Sequence, residues 1–370
     1  MARYARKKQC WCKSGKKYID CHYERDEQKR ITIQEIIEIS NKSKVKMCLH
    51  PKADKAACNE IIKAHSIQRA KILENISRDK HVYSFSSHIG DIKKQGRMLP
   101  KLIGINEAST FTGFCNFHDT ETFKPIEIND IEISNEHIFL IAYRSLCKEI
   151  YAKQYQKNMI PVTREGDRGL SLVEQKAFQK YIRTYEKWVN AGLSDLMYNK
   201  KIADNYLLAK KYDDIAYYVI EIEGMPEIVS SGQLSVEIDF DGKVLQTPED
   251  FSNISRQLDS ISFSILMKKS NGLIVFSCFK HEAKSIDFLK SIENLNDIEL
   301  PNAIIRFAFE FFENNYFSPD WWEGITENKQ EAIIKRMNDS SEFKERGSDV
   351  LKDDGIGYVN WKTIKRYKNI

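Results

Sequence analysis

Three cysteines and a histidine fall within thirteen residues, as Cys10-Trp11-Cys12 and Cys21-His22, on either side of the pair Ser14-Gly15. A segment this short and this basic cannot bury a core of its own, so its fold must be built around those four side chains. They are the number and type that a closed tetrahedral zinc site takes, and coordination contributes on the order of 10 kcal/mol to the folding of such a module. Ser14-Gly15 supplies the tight turn that brings the two pairs together. Cys10, Cys12, Cys21 and His22 are therefore expected to bind zinc.

The order Cys-x-Cys-x-Ser-Gly, five residues, then Cys-His resembles the SEC-C motif, a small zinc module of the preprotein translocase ATPase SecA that is attached to many other bacterial proteins. The match runs through Cys10, Cys12, Ser14, Gly15, Lys16, Lys17, Tyr18, Cys21 and His22. Trp11 stands where the family usually has Pro, and Lys13 where Gly is usual; neither is a ligand. The resemblance spans the 13 residues from Cys10 to His22 out of 370. It implies a docking or nucleic-acid-contacting accessory and no particular reaction.

Charge is unevenly divided. Residues 1–100 hold 23 Lys and Arg against 11 Asp and Glu, a surplus of +12, so with a whole-chain net of +4 the remainder sums to −8. A basic amino-terminal part beside an acidic remainder suggests an anionic partner, and nucleic acid is the commonest large one. Lys7, Lys8, Lys16 and Lys17 are the expected nucleic-acid contacts, with a protein partner as the other candidate. No run reaches the roughly 18 apolar residues of a membrane span, and the first residues lack the apolar stretch of a signal peptide. A cytoplasmic location follows as an expectation. Clustered cysteines are there better read as metal ligands than as disulfides.

A second group, Cys48, Cys58, Cys115 and His118, makes a Cys3His set whose CxxH pair suits the start of a helix. Its order along the chain resembles the treble-clef zinc fold that carries HNH endonucleases. Ile61 to His65 would be the strand with its terminal His, and Cys115-x-x-His118-Asp119 the helix start. The resemblance implies His65 as general base, with Asn75, His81, His88 or Asp119 as candidates for a missing metal ligand. The family usually has a second His or an Asp beside the first His, and a Gly- and Asn-bearing loop after it. Here "SIQRAKILENI" follows and reads as a helix with Ser66 as its N-cap. A structural zinc knuckle is the competing reading of the same residues.

The rest of the chain predicts an α+β fold, in which helices precede and cover an antiparallel sheet. Four regions are expected: 1–44, the zinc module plus a helix; 45–130, a loop-rich Cys/His region; 131–338, a helical hairpin and an α+β domain; and 339–370, a polar tail. Residues 170–212 predict two helices, with Phe178, Tyr181, Ile182, Tyr185 and Trp188 as a core stripe. Residues 214–280 predict four to six strands with turns at Asp241-Gly242 and Asn271-Gly272. Cys147 and Cys278, on apolar backgrounds, are expected to be inert buried thiols, and Trp321-Trp322 to pack in a core. No Walker-type loop or GxGxxG is present, which gives no support to an NTPase or dinucleotide enzyme.

The chain is thus expected to be a zinc-binding bacterial protein contacting nucleic acid or a protein partner through its basic amino-terminal region. The two resemblances together imply an accessory or anti-phage defence role. The alternative is a metal-dependent HNH-like nuclease that uses His65 as base.

Overall fold

The structure is a computed structural model that describes residues 7–54, 58–85, 94–247, 257–340 and 346–370. In chain order its main elements are α1 (Ile33–Ser43), β1 (Ile61–His65), β2 (His81–Phe85), β3 (Pro100–Gly104), β4 (Thr110–Cys115), α2 (Asn116–Ile128), α3 (Asn135–Thr163) and α4 (Leu172–Ala209). There follow β5 (Ile215–Ile222), β6 (Ile228–Ser235), β7 (Ser260–Lys268), β8 (Asn271–Phe279), α5 (Ala283–Ser291), α6 (Leu300–Phe311), β9 (Asn315–Phe317), α7 (Pro319–Gly324), α8 (Glu327–Ser340) and β10 (Thr363–Lys368). The chain divides into two compact units, residues 1–45 with 152–195, and residues 46–151 with 196–370.

In the smaller unit α1 opens with a capping box. The Thr32 hydroxyl accepts from the Glu35 amide at 3.2 Å, and the Glu35 carboxylate accepts from the Thr32 amide at 2.8 Å. The apolar core of this unit is small: Ile160 at the end of α3 packs with Ile182 and Val189 of α4, flanked by half-buried Phe178 and Tyr185. Tyr181, expected in that stripe, is instead exposed.

The larger unit is built on an eight-stranded sheet in the order β10-β5-β8-β7-β6-β9-β2-β3, every pairing antiparallel. Period-2 alternation gives the sheet two different faces. Ile261, Phe263 and Ile265 of β7, with Ile274 and Phe276 of β8, pack against Ile304 and Phe307 of α6. Each such buried side chain contributes about 1.5–3 kcal/mol, which makes this face the main source of stability. The intervening residues Ser260, Ser262 and Ser264 turn to the other face, where polar contacts stand beside apolar ones. Ser145 of α3 meets Ser231 at 2.9 Å, and Asn199 of α4 donates to Ser260 at 2.7 Å. A separate two-stranded ribbon, β1 with β4, leads into α2.

The α+β class is as expected, but several elements differ. The region 45–130 is not loop-rich: it contributes the β1–β4 ribbon, and β2 and β3 extend the large sheet. Residues 172–209 form one helix, not a hairpin. Gly192 lies within it, in ordinary contact distance of the stem of Lys153. The expected polar tail supplies β10 at the sheet edge, anchored by buried Tyr358, Val359 and Trp361. Asp241-Gly242 does make a turn, with Gly242 at φ 81°. Asn271-Gly272 does not; it opens β8, and the turn is Lys269-Ser270. Gly272 is there because a Cβ would come within 2.5 Å of Ile222. Trp321 and Trp322 pack around Phe317 as expected, at ring separations of 5.6 and 5.2 Å.

Glu282, buried before α5, accepts the Ser260 and Phe279 amides at 2.8 Å each. Burial outweighs these bonds and pushes its carboxyl from 4.5 up to about 7. Between those values the folded chain holds a proton that the unfolded chain has released, so this group's contribution to stability falls as pH rises through the window. Chemical denaturation from pH 4.5 to 7 is expected to show that loss, and Glu282→Gln to flatten it.

Candidate metal centres

The first cluster is assembled by a miniature hairpin. Gln9 bridges Lys17, the Cys10 amide donates to the Lys16 carbonyl at 2.9 Å, and Lys13 and Gly15 take left-handed φ values of 60° and 81° to turn the chain. A short 3-10 turn, Tyr18–Asp20, then presents Cys21 and His22, with the His22 amide bonded to the Tyr18 carbonyl. The three Sγ atoms and a His22 ring nitrogen lie within 4.8 Å of one another. His22 Nδ1 is 3.2 Å from both Cys10 and Cys21 Sγ, and Cys12 is 3.5 Å from Cys21.

These separations fit a metal. A tetrahedron with bonds of about 2.0–2.3 Å has edges of about 3.3–3.8 Å, and three sulfurs with one imidazole are a donor set that zinc takes. They do not fit a disulfide, and all eight cysteines are free. The Ser14 hydroxyl sits 3.1 Å from Cys12 Sγ and 3.3 Å from Cys21 Sγ. Burial pushes the Cys10 thiol up to about 12 and raises Cys21. At Cys12 burial acts in the same direction but the Ser14 hydroxyl and amide outweigh it, and the thiol falls to about 7.

Behind His22 lies a residue that sequence spacing did not single out. Its Nε2 is 2.8 Å from the carboxylate of Asp167, a fully buried residue 145 positions away that also takes bonds from Arg25 Nε at 2.6 Å and Gln179 Nε2 at 2.7 Å. Burial raises the Asp167 carboxyl, but the bonds from His22, Gln179 and Arg25 outweigh it and hold it below its ordinary value. A carboxylate receiving Nε2–H leaves Nδ1 as the free lone pair, aimed at the sulfurs. Trp11, where the SEC-C pattern has Pro, lays its ring against His22 at 4.3 Å.

The second cluster draws on more distant segments. Leu49 runs beside β4, its amide on the Gly113 carbonyl at 2.9 Å, which carries Cys48 to the end of that strand. Cys58 precedes β1, whose register places Ile61 opposite Cys115. Cys115 is the N-cap of α2, and its sulfur accepts from the His118 amide at 3.4 Å. His118 Nδ1 is 3.2, 3.5 and 3.6 Å from the sulfurs of Cys115, Cys48 and Cys58. The four ligand atoms again gather within 4.8 Å. His50 stacks on His118 at 4.1 Å, and burial followed by the His118 charge lowers it to about 4. Its position two residues after Cys48 was the available signal.

His65 ends β1 as expected, but it does not join a metal cluster. Among the described residues the two groups above are the gatherings of three or more possible ligands. Its Nδ1 lies 3.3 Å from the Ser109 hydroxyl, and burial lowers its pKa. Asp119 has a buried Oδ1 with no hydrogen-bond partner among the described residues, and burial raises its pKa. Of the other candidates, Asn75 donates to the Lys71 carbonyl, His81 bonds the Asp79 carbonyl, and His88 lies outside the described residues. Ser66 is not an N-cap; its hydroxyl donates to the Ser109 carbonyl, and a π-helical turn begins only at Arg69. Cys147 and Cys278 are buried, with burial raising both thiols. Lys7, Lys8, Lys16 and Lys17 are all exposed.

No protein-family model, curated protein or solved structure matches the chain. Two Cys3His clusters, each compatible with zinc, are therefore the functional content that the geometry itself supplies.

Metal analysis of native protein is expected to give two zinc ions per chain, falling to one in Cys115→Ser. Asp167→Ala should weaken retention of the first ion about 10- to 100-fold in chelator competition while leaving the second in place.

Proposed function

We propose that this is a zinc-binding protein that contacts nucleic acid through the basic surface of its amino-terminal metal module, in the reducing cytoplasm that eight free thiols suit. The observation that carries the reading is the display of charge on that module. Lys7, Lys13, Lys16 and Lys17 are exposed on a segment shaped by Cys10, Cys12, Cys21 and His22, and none of these four side chains enters an ion pair among the described residues. Lysines held on a small rigid turn and not committed to internal carboxylates are free to replace the counterions of a phosphate backbone. By contrast the basic residues deeper in the same unit, Arg25 and Arg164, are tied to Asp167, Glu165 and Glu186. No helix among the described residues is long and apolar enough to cross a membrane.

A second reading is favoured by one observation. The β1–β4 ribbon followed by α2, pinned at Cys48, Cys58, Cys115 and His118, carries His65 at the strand end where an HNH-like nuclease has its base. The hydrogen bond of His65 to Ser109 and the absence of a third ligand cluster among the described residues favour binding over catalysis.

The two readings separate in one assay on fluorescent RNA and DNA oligonucleotides with added magnesium or manganese. Binding alone predicts an affinity that falls with salt, with a slope reduced by about 0.7 per lysine removed on single strands in Lys16→Ala and Lys17→Ala, and no effect of His65→Ala. Cleavage that is lost in His65→Ala at unchanged zinc content would install the nuclease instead.

A further inference from the structure

The smaller unit contains a cleft of about 420 Å3, larger than a bound ion needs. Cys12, Cys21 and His22 form part of its wall; the turn residues Lys13, Ser14 and Lys16 stand on one side, and the end of α3 with the middle of α4 closes the other. Five cationic side chains and two carboxylates line it, and the carboxylates are already engaged. Glu165 accepts from Arg25 and Arg168, and Glu186 from Arg164 at 2.5 Å. The Arg164 guanidinium is further fixed by the Gln179 side-chain carbonyl at 2.9 Å. What remains uncommitted at the mouth is cationic or neutral and polar: Lys13, Lys16, Lys157 and Asn190, all exposed.

We propose that this cleft receives the sugar–phosphate backbone of a nucleic acid strand, with Lys13 and Lys16 of the metal module and Lys157 of α3 neutralising phosphates and Asn190 donating a hydrogen bond. The proposal rests on the nucleic-acid reading above and adds a site to it. Internal pairing of both carboxylates leaves three ammonium groups with no ion pair among the described residues as the electrostatic content of the opening, which selects an anion. The volume lies within the range that accommodates a nucleotide-sized group. Lysines from two segments 141 residues apart in sequence, counted from Lys16 to Lys157, line one cleft; this explains why charge counting along the chain finds Lys16 and misses Lys157. The metal is then part of the site's architecture: the ligands that hold it also fix the turn that carries Lys13 and Lys16.

The test is fluorescence anisotropy with the zinc-loaded full chain and a labelled single-stranded oligonucleotide at low salt, comparing Lys157→Glu with Lys180→Glu, an equal charge change on exposed α4 surface outside the cleft. Lys157→Glu is expected to weaken binding about fivefold or more and to lower the salt slope by about 0.7, with Lys180→Glu within about twofold of the parent. Unchanged zinc content and circular dichroism verify folding, and Lys157→Ala should fall between. If Lys157→Glu behaves like Lys180→Glu while Lys16→Glu still weakens binding, the cleft is not the contact and the broader reading stands. If a mononucleotide or inorganic phosphate displaces the strand at equal phosphate concentration, the assignment to a strand is overturned. If the parent protein binds no oligonucleotide at low salt, the nucleic-acid reading fails and takes this site with it.

Discussion

Three sulfurs and an imidazole nitrogen gathered within 4.8 Å of one another lose solvation and, as thiolates, repel. A cation among them offsets both effects, and in this chain the same arrangement occurs twice. At the first cluster the rest of the local structure follows from it. The miniature hairpin has one bridge, Gln9 to Lys17, and its 3-10 turn has no buried residue, so neither would persist on backbone hydrogen bonds and packing alone. Metal coordination would supply what the missing core cannot. Asp167 then extends the effect, because its carboxylate joins His22 to Arg25 and Gln179 in the same unit.

The second cluster works in a different setting. Its ligands are pinned to regular elements: Cys115 at the junction of β4 and α2, His118 one turn on, Cys48 on a segment bonded through its backbone to β4, and Cys58 just before β1. The surrounding unit has a large apolar core of its own, centred on Phe263, Phe276 and Phe307, so metal loss there should be local where loss at the first cluster undoes a module.

Much of this was legible in the sequence because the relevant signals were short. Ligand type and spacing picked out the eight residues that gather in the two clusters, and alternation located β5 to β8. The span Ile61–His65 was read correctly as a strand and Cys115 as a helix start. What escaped depended on long-range pairing. Asp167 has no local pattern tying it to His22 across 145 residues. The segment Thr363–Lys368 is nearly all polar because β10 lies at a sheet edge, where half-exposed Lys and Arg are tolerated, and so it reads as a tail. Asn271-Gly272 reads as a turn, but packing beneath Ile222, not backbone freedom, requires that glycine.

Zinc-edge X-ray absorption on the metal-loaded protein tests the central claim most directly, since it reads the identity and distance of the atoms around the metal. The account predicts an average shell of three sulfurs at about 2.3 Å and one nitrogen at about 2.0 Å, with two zinc ions per chain. A shell of oxygen and nitrogen alone, or fewer than two sulfurs per zinc, would mean that these cysteines and histidines gather for another reason.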